Sequence, residues 1–286
     1  STSSPMTEFP VDGVVDAHVH LMPERLMAAI REALSEAAGW AFDHPTDRDR
    51  MEAALTAAGV ERYVALPYAA RPGTAADLNE WVIEAAADSE LAVPFATVHA
   101  GDDDPGTVVA DALDAGARGL KLQLPVQGFA ADDPRLDPAY EAVAARDAPV
   151  LLHAGTAPMF EDSPHVGVER FESFLASYPD VRVCAAHMGT YEVDAFVELA
   201  RDNDSVFLDT TFAMSSVAET YMGFDPATVA DETLIELSES IMYGSDYPNI
   251  PYPYAREREH LLSRDLPVEA QRDIFSRTAR RFLDGD

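Results

Sequence analysis

The sequence contains a single cysteine, Cys184, which excludes a disulfide within the chain and any cysteine-based zinc finger. Lysine is as scarce: of the 20 basic residues only Lys121 is a lysine, and the rest are arginine. Positive charge as a whole is short, with 51 Asp and Glu giving a formal net charge of −31 at pH 7. A field of that sign repels phosphate backbones and excludes nucleic-acid binding through a basic face. No apolar run approaches the ~18 residues that a membrane span needs. The first βα turn, HVHLMPE, has no G-x-G-x-x-G, so the dinucleotide-binding turn of an open doubly wound sheet is missing. The opening STSSPMTE has neither the basic n-region nor the apolar h-region of a signal peptide. It reads as a flexible lead over residues 1–10, with Met6 a candidate start.

What is present is a globular chain of 286 residues, 47% hydrophobic, with a mean hydropathy of −0.12. The carboxylate excess points to a halophile's cytoplasm at molar salt, where the Debye length falls to ~3 Å and self-repulsion is screened. Short runs rich in Val, Leu and Ile alternate with Ala/Glu-rich helical patterns. Strands are expected at 13–21, 61–68, 92–99, 118–124, 149–154, 182–187, 206–211 and 241–246. Helices are expected at 23–38, 75–89, 105–115, 138–146, 168–178, 192–201, 226–240 and 254–263, with a last amphipathic helix over 268–283. Eight strand–helix units without a composition break predict an α/β fold, a single-domain (β/α)8 TIM barrel over residues 11–286. From His18 to Asp246 the spacing is about 33 residues per step, close to the ~30 of a βαβ unit. Longer connections at 39–50, 156–167, 212–225 and 249–253 carry Trp40, Phe42, Met159, Phe160, Tyr221 and Met222. In a barrel these loops sit over the C-terminal mouth, as lids or as packing.

Strands of a parallel barrel are usually continuous apolar runs. Here ligand-type residues interrupt them at their C-terminal ends: His18 and His20 in VVDAHVHL, Lys121 in GLKLQ, His153 in VLLHAG, His187 in CAAHMG and Asp246 in MYGSDYP. Residues two apart share one face of a strand, so both imidazoles of H-x-H can meet one metal. Active sites of this fold lie at that end of the barrel. Neutral imidazoles with a carboxylate suit one divalent ion, Zn²⁺ first, and a coordination position left open lowers the pKa of bound water to ~7. Asp246 can ligate the metal and also shuttle the proton of that water.

In these residues the chain resembles the amidohydrolase superfamily, and within it the amidohydrolase 2 branch that includes aminocarboxymuconate-semialdehyde decarboxylase. The resemblance rests on D-A-H-V-H at 16–20, G-L-K-L at 119–122, H-A-G at 153–155, A-H-M-G at 186–189 and G-S-D-Y-P at 244–248. It implies that His18, His20, His153 and Asp246 bind one metal, with His187 beside the metal-bound water as acid/base, so that His187 and Asp246 are the catalytic pair. In some amidohydrolases a lysine at the place of Lys121 is carbamylated and bridges two metals. The other readings of Lys121 are an ammonium that binds a substrate anion or pairs with Asp16. Adenosine-deaminase-like members carry Glu where this chain has Thr156, which speaks against a purine deaminase. Thr278 stands where the branch commonly has Asn, a difference for helix packing.

Further candidates follow from position alone. Asp16 shares the face of His18 and His20 and is a candidate partner beneath them. Arg71, Gln123, Thr156 and Tyr247 are candidate substrate-binding residues, and Tyr68 and Asp209 also stand near strand ends. His99 and His165 lie within reach of the mouth. Cys184, three residues before His187, should face the helix layer as a buried thiol if its strand is regular. The expected function is a metal-dependent hydrolase opening a small amide, lactone or ester with metal-activated water. The alternative is non-oxidative decarboxylation of an aromatic or unsaturated acid. A third reading, a metal-stabilised binding protein, fits poorly with a complete ligand and acid/base set. The partner is a small molecule; neither nucleic acid nor membrane is expected, and the lengths are compatible with a homodimer.

The charge yields a first prediction. Thermal unfolding in molar KCl should have a clearly higher midpoint than in dilute buffer. Equal midpoints would remove the halophilic reading of the −31 charge.

Overall fold

The computed structural model describes residues 8–285. Residues 1–7 of the expected lead lie outside the described residues. At its end, Phe9 sets its ring edge-on to Tyr243 and Phe275, with centroids 5.3 and 5.4 Å away, beneath the Arg258 guanidinium.

Eight strands run parallel: β1 (Val15–His20), β2 (Arg62–Leu66), β3 (Ala92–Pro94), β4 (Leu120–Leu122), β5 (Val150–Leu152), β6 (Val183–Ala185), β7 (Val206–Asp209) and β8 (Ile241–Met242). Ladders join β1-β2-β3 and β4-β5-β6-β7-β8. Two single bridges close the ring, Ala96 with Leu120 and Val19 with Tyr247. At the first seam Lys121 N–H donates to the Ala96 carbonyl at 2.8 Å; at the second Ala17 N–H donates to Tyr243 at 3.0 Å and His20 N–H to Tyr247 at 2.9 Å. The result is the expected (β/α)8 barrel, with strands shorter than their apolar runs.

The helices Glu24–Ala38, Ala75–Ala87, Pro105–Asp114, Asp137–Ala145, Val168–Ser177, Val193–Asp202 and Arg256–Ser263 form the outer layer. Three departures from the sequence reading have local causes. The 39–50 connection ends inside a helix, Arg48–Ala57, whose first turn is capped by the Asp47 carboxylate accepting from Arg50 N–H. The 226–240 helix is a short 3₁₀ turn, Pro226–Thr228, then Asp231–Glu236. The chain is extended at Val229, whose side chain is buried and whose carbonyl is gripped by Arg264. The last helix contains one wide π turn, Asp273–Arg277, through which the Ile274 carbonyl accepts the Tyr243 N–H beside β8 at 2.8 Å. Thr278 Oγ1 donates to the Ser238 carbonyl at 2.6 Å, the packing role its position suggested.

The apolar interior has two compartments. Between strands and helices lies the larger core, with Met27, Met51, Leu78, Val109, Phe174, Phe196, Leu234 and Ile274. Inside the barrel lies a smaller one, where Val15, Val64, Phe95, Leu151, Cys184, Phe207 and Met242 meet Ala279 and Phe282 of the last helix. Phe282 seals the barrel floor, its ring 5.1 Å from Phe207 and 6.3 Å from Phe95. Cys184 therefore faces inward, in register with Lys121, Leu151 and Phe207, and not toward the helices as alternation had suggested. The counting failed because β6 ends at Ala185, and His187 follows on a left-handed turn (φ 57°) where strand alternation no longer applies.

Phe282→Ala should cost about 3–5 kcal/mol, the range for truncating a buried aromatic, read as a lower urea midpoint at unchanged m-value. A loss under about 1 kcal/mol would mean that Phe282 does not seal the floor.

Candidate metal centre and active site

The site begins at the β1–β8 seam. The rings of His18 and His20 stand 5.1 Å apart between centroids, on the mouth side of β1. Asp246 comes from the turn after β8, held in the left-handed region (φ 63°), with its N–H donating to the His18 carbonyl at 2.8 Å. A non-glycine residue stays there only when its surroundings enforce it. Its Oδ1 lies 2.8 Å from His20 Nε2 and 3.2 Å from His18 Nε2. Gly244 makes the approach possible: a Cβ at this position would fall 2.8 Å from His18 Cβ and from Thr211 Cγ2.

Beneath the mouth Asp209, on β7, gathers the site. Its Oδ2 accepts from His18 Nδ1 at 2.9 Å, and its Oδ1 accepts the His187 N–H at 3.0 Å, the Thr211 N–H at 3.2 Å and the Thr211 hydroxyl at 2.5 Å. Burial would raise its pKa, but the His18 charge and these donors hold the carboxyl well below the usual range. In turn, burial pulls the His18 pKa down, and the Asp209 carboxylate with Asp246 more than offsets this, lifting it to about 9. Asp246 is held far below an ordinary carboxyl, its burial outweighed by hydrogen bonds from His18 and His20. A divalent ion would compete with the proton for the same lone pairs.

His153 follows β5 and His187 follows β6, with their rings 4.9 Å apart. His187 Nδ1 lies 3.0 Å from the Thr211 carbonyl, which makes it the protonated nitrogen and turns the Nε2 lone pair to the cavity. Burial lowers the His187 pKa, and for His153 burial, then the charges of His187 and Lys121, push it further down. Gln123 meets His153 Nδ1 at 3.0 Å. With its amide oxygen as acceptor, a carbonyl otherwise buried without a partner among the described residues is satisfied, and His153 Nε2 keeps its lone pair.

The other candidates fall in several places. Gln123 and Tyr68 line the cavity with His20, His153, His187 and Asp246. Asp16 is buried beneath, but serves the backbone: it accepts from His18 N–H at 3.1 Å, Ser245 N–H at 3.0 Å, Ser245 Oγ at 2.5 Å and Tyr254 at 2.8 Å. Burial lifts its pKa to about 6 against these donors. Lys121 is buried inside the barrel, where its Nζ has no hydrogen-bond partner among the described residues. Burial lowers its pKa to about 8 while Asp209 and Asp246 pull it upward. It neither lines the cavity nor hydrogen-bonds to Asp16, so the substrate-anion and Asp16-pair readings are corrected. A carbamate there would add a third anion beside Asp209 and Asp246, whereas the ammonium complements them.

Arg71 is exposed and lines a separate groove outside Tyr68 and Val126. Thr156 turns to the β6 loop, its N–H donating to the Thr190 carbonyl at 2.7 Å. The Tyr247 ring is directed at His44 and Tyr254, with only its carbonyl serving His20. His99 packs against Phe129 and, like His165, is outside the cavity lining. Asn249 escaped sequence reading, and the roles of Asp209 and Trp40 were not given there beyond their positions. Asp209 gives a signal as an acid closing an apolar strand. Trp40, stacked on Phe212 at 5.4 Å, and Asn249, in the cavity wall, sit on loops with no periodicity to mark them.

His18, His20 and Asp246 form a group whose ligand atoms lie within 4.8 Å of one another. His153 Nε2 is buried without a hydrogen-bond partner among the described residues, in the lining of the cavity that His20 and Asp246 also line. Imidazole and carboxylate donors of this kind fit a divalent ion such as zinc or manganese. Fold and site together define a TIM-barrel protein with a candidate metal centre at its mouth. The chain belongs to the amidohydrolase-2 family: the amidohydrolase family model matches residues 15–285. No curated protein matches the sequence. Among solved structures it resembles an uncharacterised TIM-barrel protein of Bordetella bronchiseptica, with TM-score 0.74 and 18% identity over 95% of this chain and 98% of that one. It also resembles the 2,6-dihydroxybenzoate decarboxylase of Rhizobium, with TM-score 0.64 and 17% identity over 96% and 100%. The 5-carboxyvanillate decarboxylase of Novosphingobium aromaticivorans, complexed with manganese and 4-hydroxy-3-methoxy-5-nitrobenzoic acid, matches with TM-score 0.63 and 14% identity over 98% and 99%. Among the described residues no helix is long and apolar enough to cross a membrane.

Metal analysis of His18→Ala should show loss of the bound ion. Asp209→Asn should keep the fold and weaken metal affinity about 10–100-fold, the usual cost of removing a carboxylate behind a ligating histidine. Unchanged affinity in Asp209→Asn would show that this carboxylate does not tune the site.

Proposed function

We propose that this protein is a divalent-metal-dependent, non-oxidative decarboxylase of a small aromatic or unsaturated carboxylic acid, with one metal per chain. The observation that carries this is the cavity itself: a floor of convergent imidazoles and one carboxylate beneath walls that are almost wholly apolar. Family membership and the likeness to decarboxylases support this reading over hydrolysis of an amide, lactone or ester.

His18, His20, His153 and Asp246 would hold the ion, which would supply positive charge to bind the substrate carboxylate and to stabilise charge on the reacting carbon. The manganese in a similar structure and the N/O donor set leave both Mn²⁺ and Zn²⁺ as fitting ions. His187 stands at the same end of the cavity with Nε2 facing it. Its role is to take up a proton from solvent on the Nε2 lone pair and give it to the substrate carbon as the bond to the carboxylate breaks. The electron pair of that bond takes the proton, and CO₂ leaves. Burial lowers the His187 pKa, so a proton held there is readily surrendered. Trp40, Phe160 and Phe212 would exclude water and favour the neutral product over the bound anion.

The test is CO₂ release from a panel of hydroxybenzoates and unsaturated acids by manganese- and zinc-loaded protein. Turnover is expected with at least one of them, and His187→Gln should lower kcat by about 10²–10⁴-fold, the scale of general acid catalysis, with metal content unchanged. Hydrolysis of lactones or esters without CO₂ release from any acid would restore the hydrolase reading.

A further inference from the structure

We infer that the cavity selects a substrate with one anionic group only, the carboxylate to be lost, on a flat uncharged body bearing a hydroxyl that Asn249 reads. This rests on the decarboxylase reading and deepens it. The cavity is divided chemically. Its walls are formed by Leu34, Trp40, Val126, Met159, Phe160 and Phe212, and among the described residues no arginine or lysine lines it. Trp40 stacks on Phe212 (19° between planes), and this pair together with Phe160 gives the cavity an aromatic wall against which a planar ring or conjugated chain packs.

The nearby cations are committed elsewhere. Arg31 donates to the Pro248 carbonyl at 3.0 Å, and its guanidinium lies 5.9 Å from the Phe42 ring. Lys121 is sealed inside the barrel, and Arg25 and Arg71 line the outer groove beyond Tyr68 and Val126. A second carboxylate on the substrate would be desolvated against apolar side chains without a partner, in a chain already at −31.

One buried amide oxygen in the wall has no protein partner among the described residues. Asn249 is 4% exposed, lines the cavity, and its Oδ1 has no hydrogen-bond partner among the described residues. A buried amide oxygen left unpaired is costly, and a neutral hydroxyl on the ligand satisfies it without adding charge.

The experiment measures binding to manganese-loaded protein by calorimetry in molar KCl, with benzoate, 2-hydroxybenzoate and 2-hydroxyisophthalate, and follows CO₂ release on the same samples. 2-Hydroxybenzoate is expected to bind at least ten-fold more tightly than the dicarboxylate, and more tightly than benzoate. Asn249→Leu should abolish the preference for 2-hydroxybenzoate over benzoate. Val126→Arg, which places a cation at a partly exposed wall position, should narrow or reverse the preference against the dicarboxylate. A dicarboxylate that binds wild-type protein as tightly as the monocarboxylate overturns the inference, even if CO₂ is released. The expected preferences without CO₂ release from any acid would overturn the decarboxylase reading alone, and no binding of any probe would overturn both.

Discussion

The Asp209 carboxylate is the constraint on which the site depends. It sits at the end of β7 but serves three strands at once: the His18 ring on β1, the backbone of His187 after β6, and Thr211 beyond its own strand. A buried anion is tolerated only when its lone pairs are filled, and here they are filled by the groups whose positions the chemistry needs. The same acceptor that fixes the tautomer of His18 also anchors the left-handed turn carrying His187. Asp16 plays a similar part on the β8 side, tying Ser245 and Tyr254 to β1. Two buried acids thus set the spacing of the candidate ligands above them.

Much of the fold was legible because each strand of a buried parallel barrel announces itself as an apolar run, and each helix as an amphipathic stretch. The candidate site residues were legible for the converse reason: His18, His20, His153, His187 and Asp246 are polar residues that interrupt or close such runs. What the sequence hid lies where periodicity stops. His187 and Asp246 both stand past their strand ends with positive φ, so counting by alternation misplaced Cys184. Arg71 looked available for a substrate carboxylate because a loop residue has no face in sequence; its position in the outer groove is decided by packing around Tyr68 and Val126. The apolar character of the cavity comes from loops contributed by distant units, Trp40 against Phe212 and Phe160 beside His153, which no local pattern joins.

The few arginines act as clips between neighbouring units. Arg182 holds Asp147 and the Phe282 carbonyl at the barrel floor, Arg146 holds Asp114, and Arg264 joins Asp231 to the Val229 carbonyl. Exposed ion pairs contribute little and are screened by salt, but bonds to main-chain carbonyls are less so. A strongly acidic surface can therefore be held together by a small number of guanidinium groups, most of the described carboxylates having no arginine partner.

The burial of Lys121 also changes how the folded protein meets reagents. It is the single lysine in the chain, and it is sealed within the barrel beneath the histidines. Apart from the α-amino group, the folded surface offers amine-directed dyes and cross-linkers no primary amine. Labelling of that one side chain then reports the opening of the barrel, giving the protein an intrinsic chemical probe of its own unfolding.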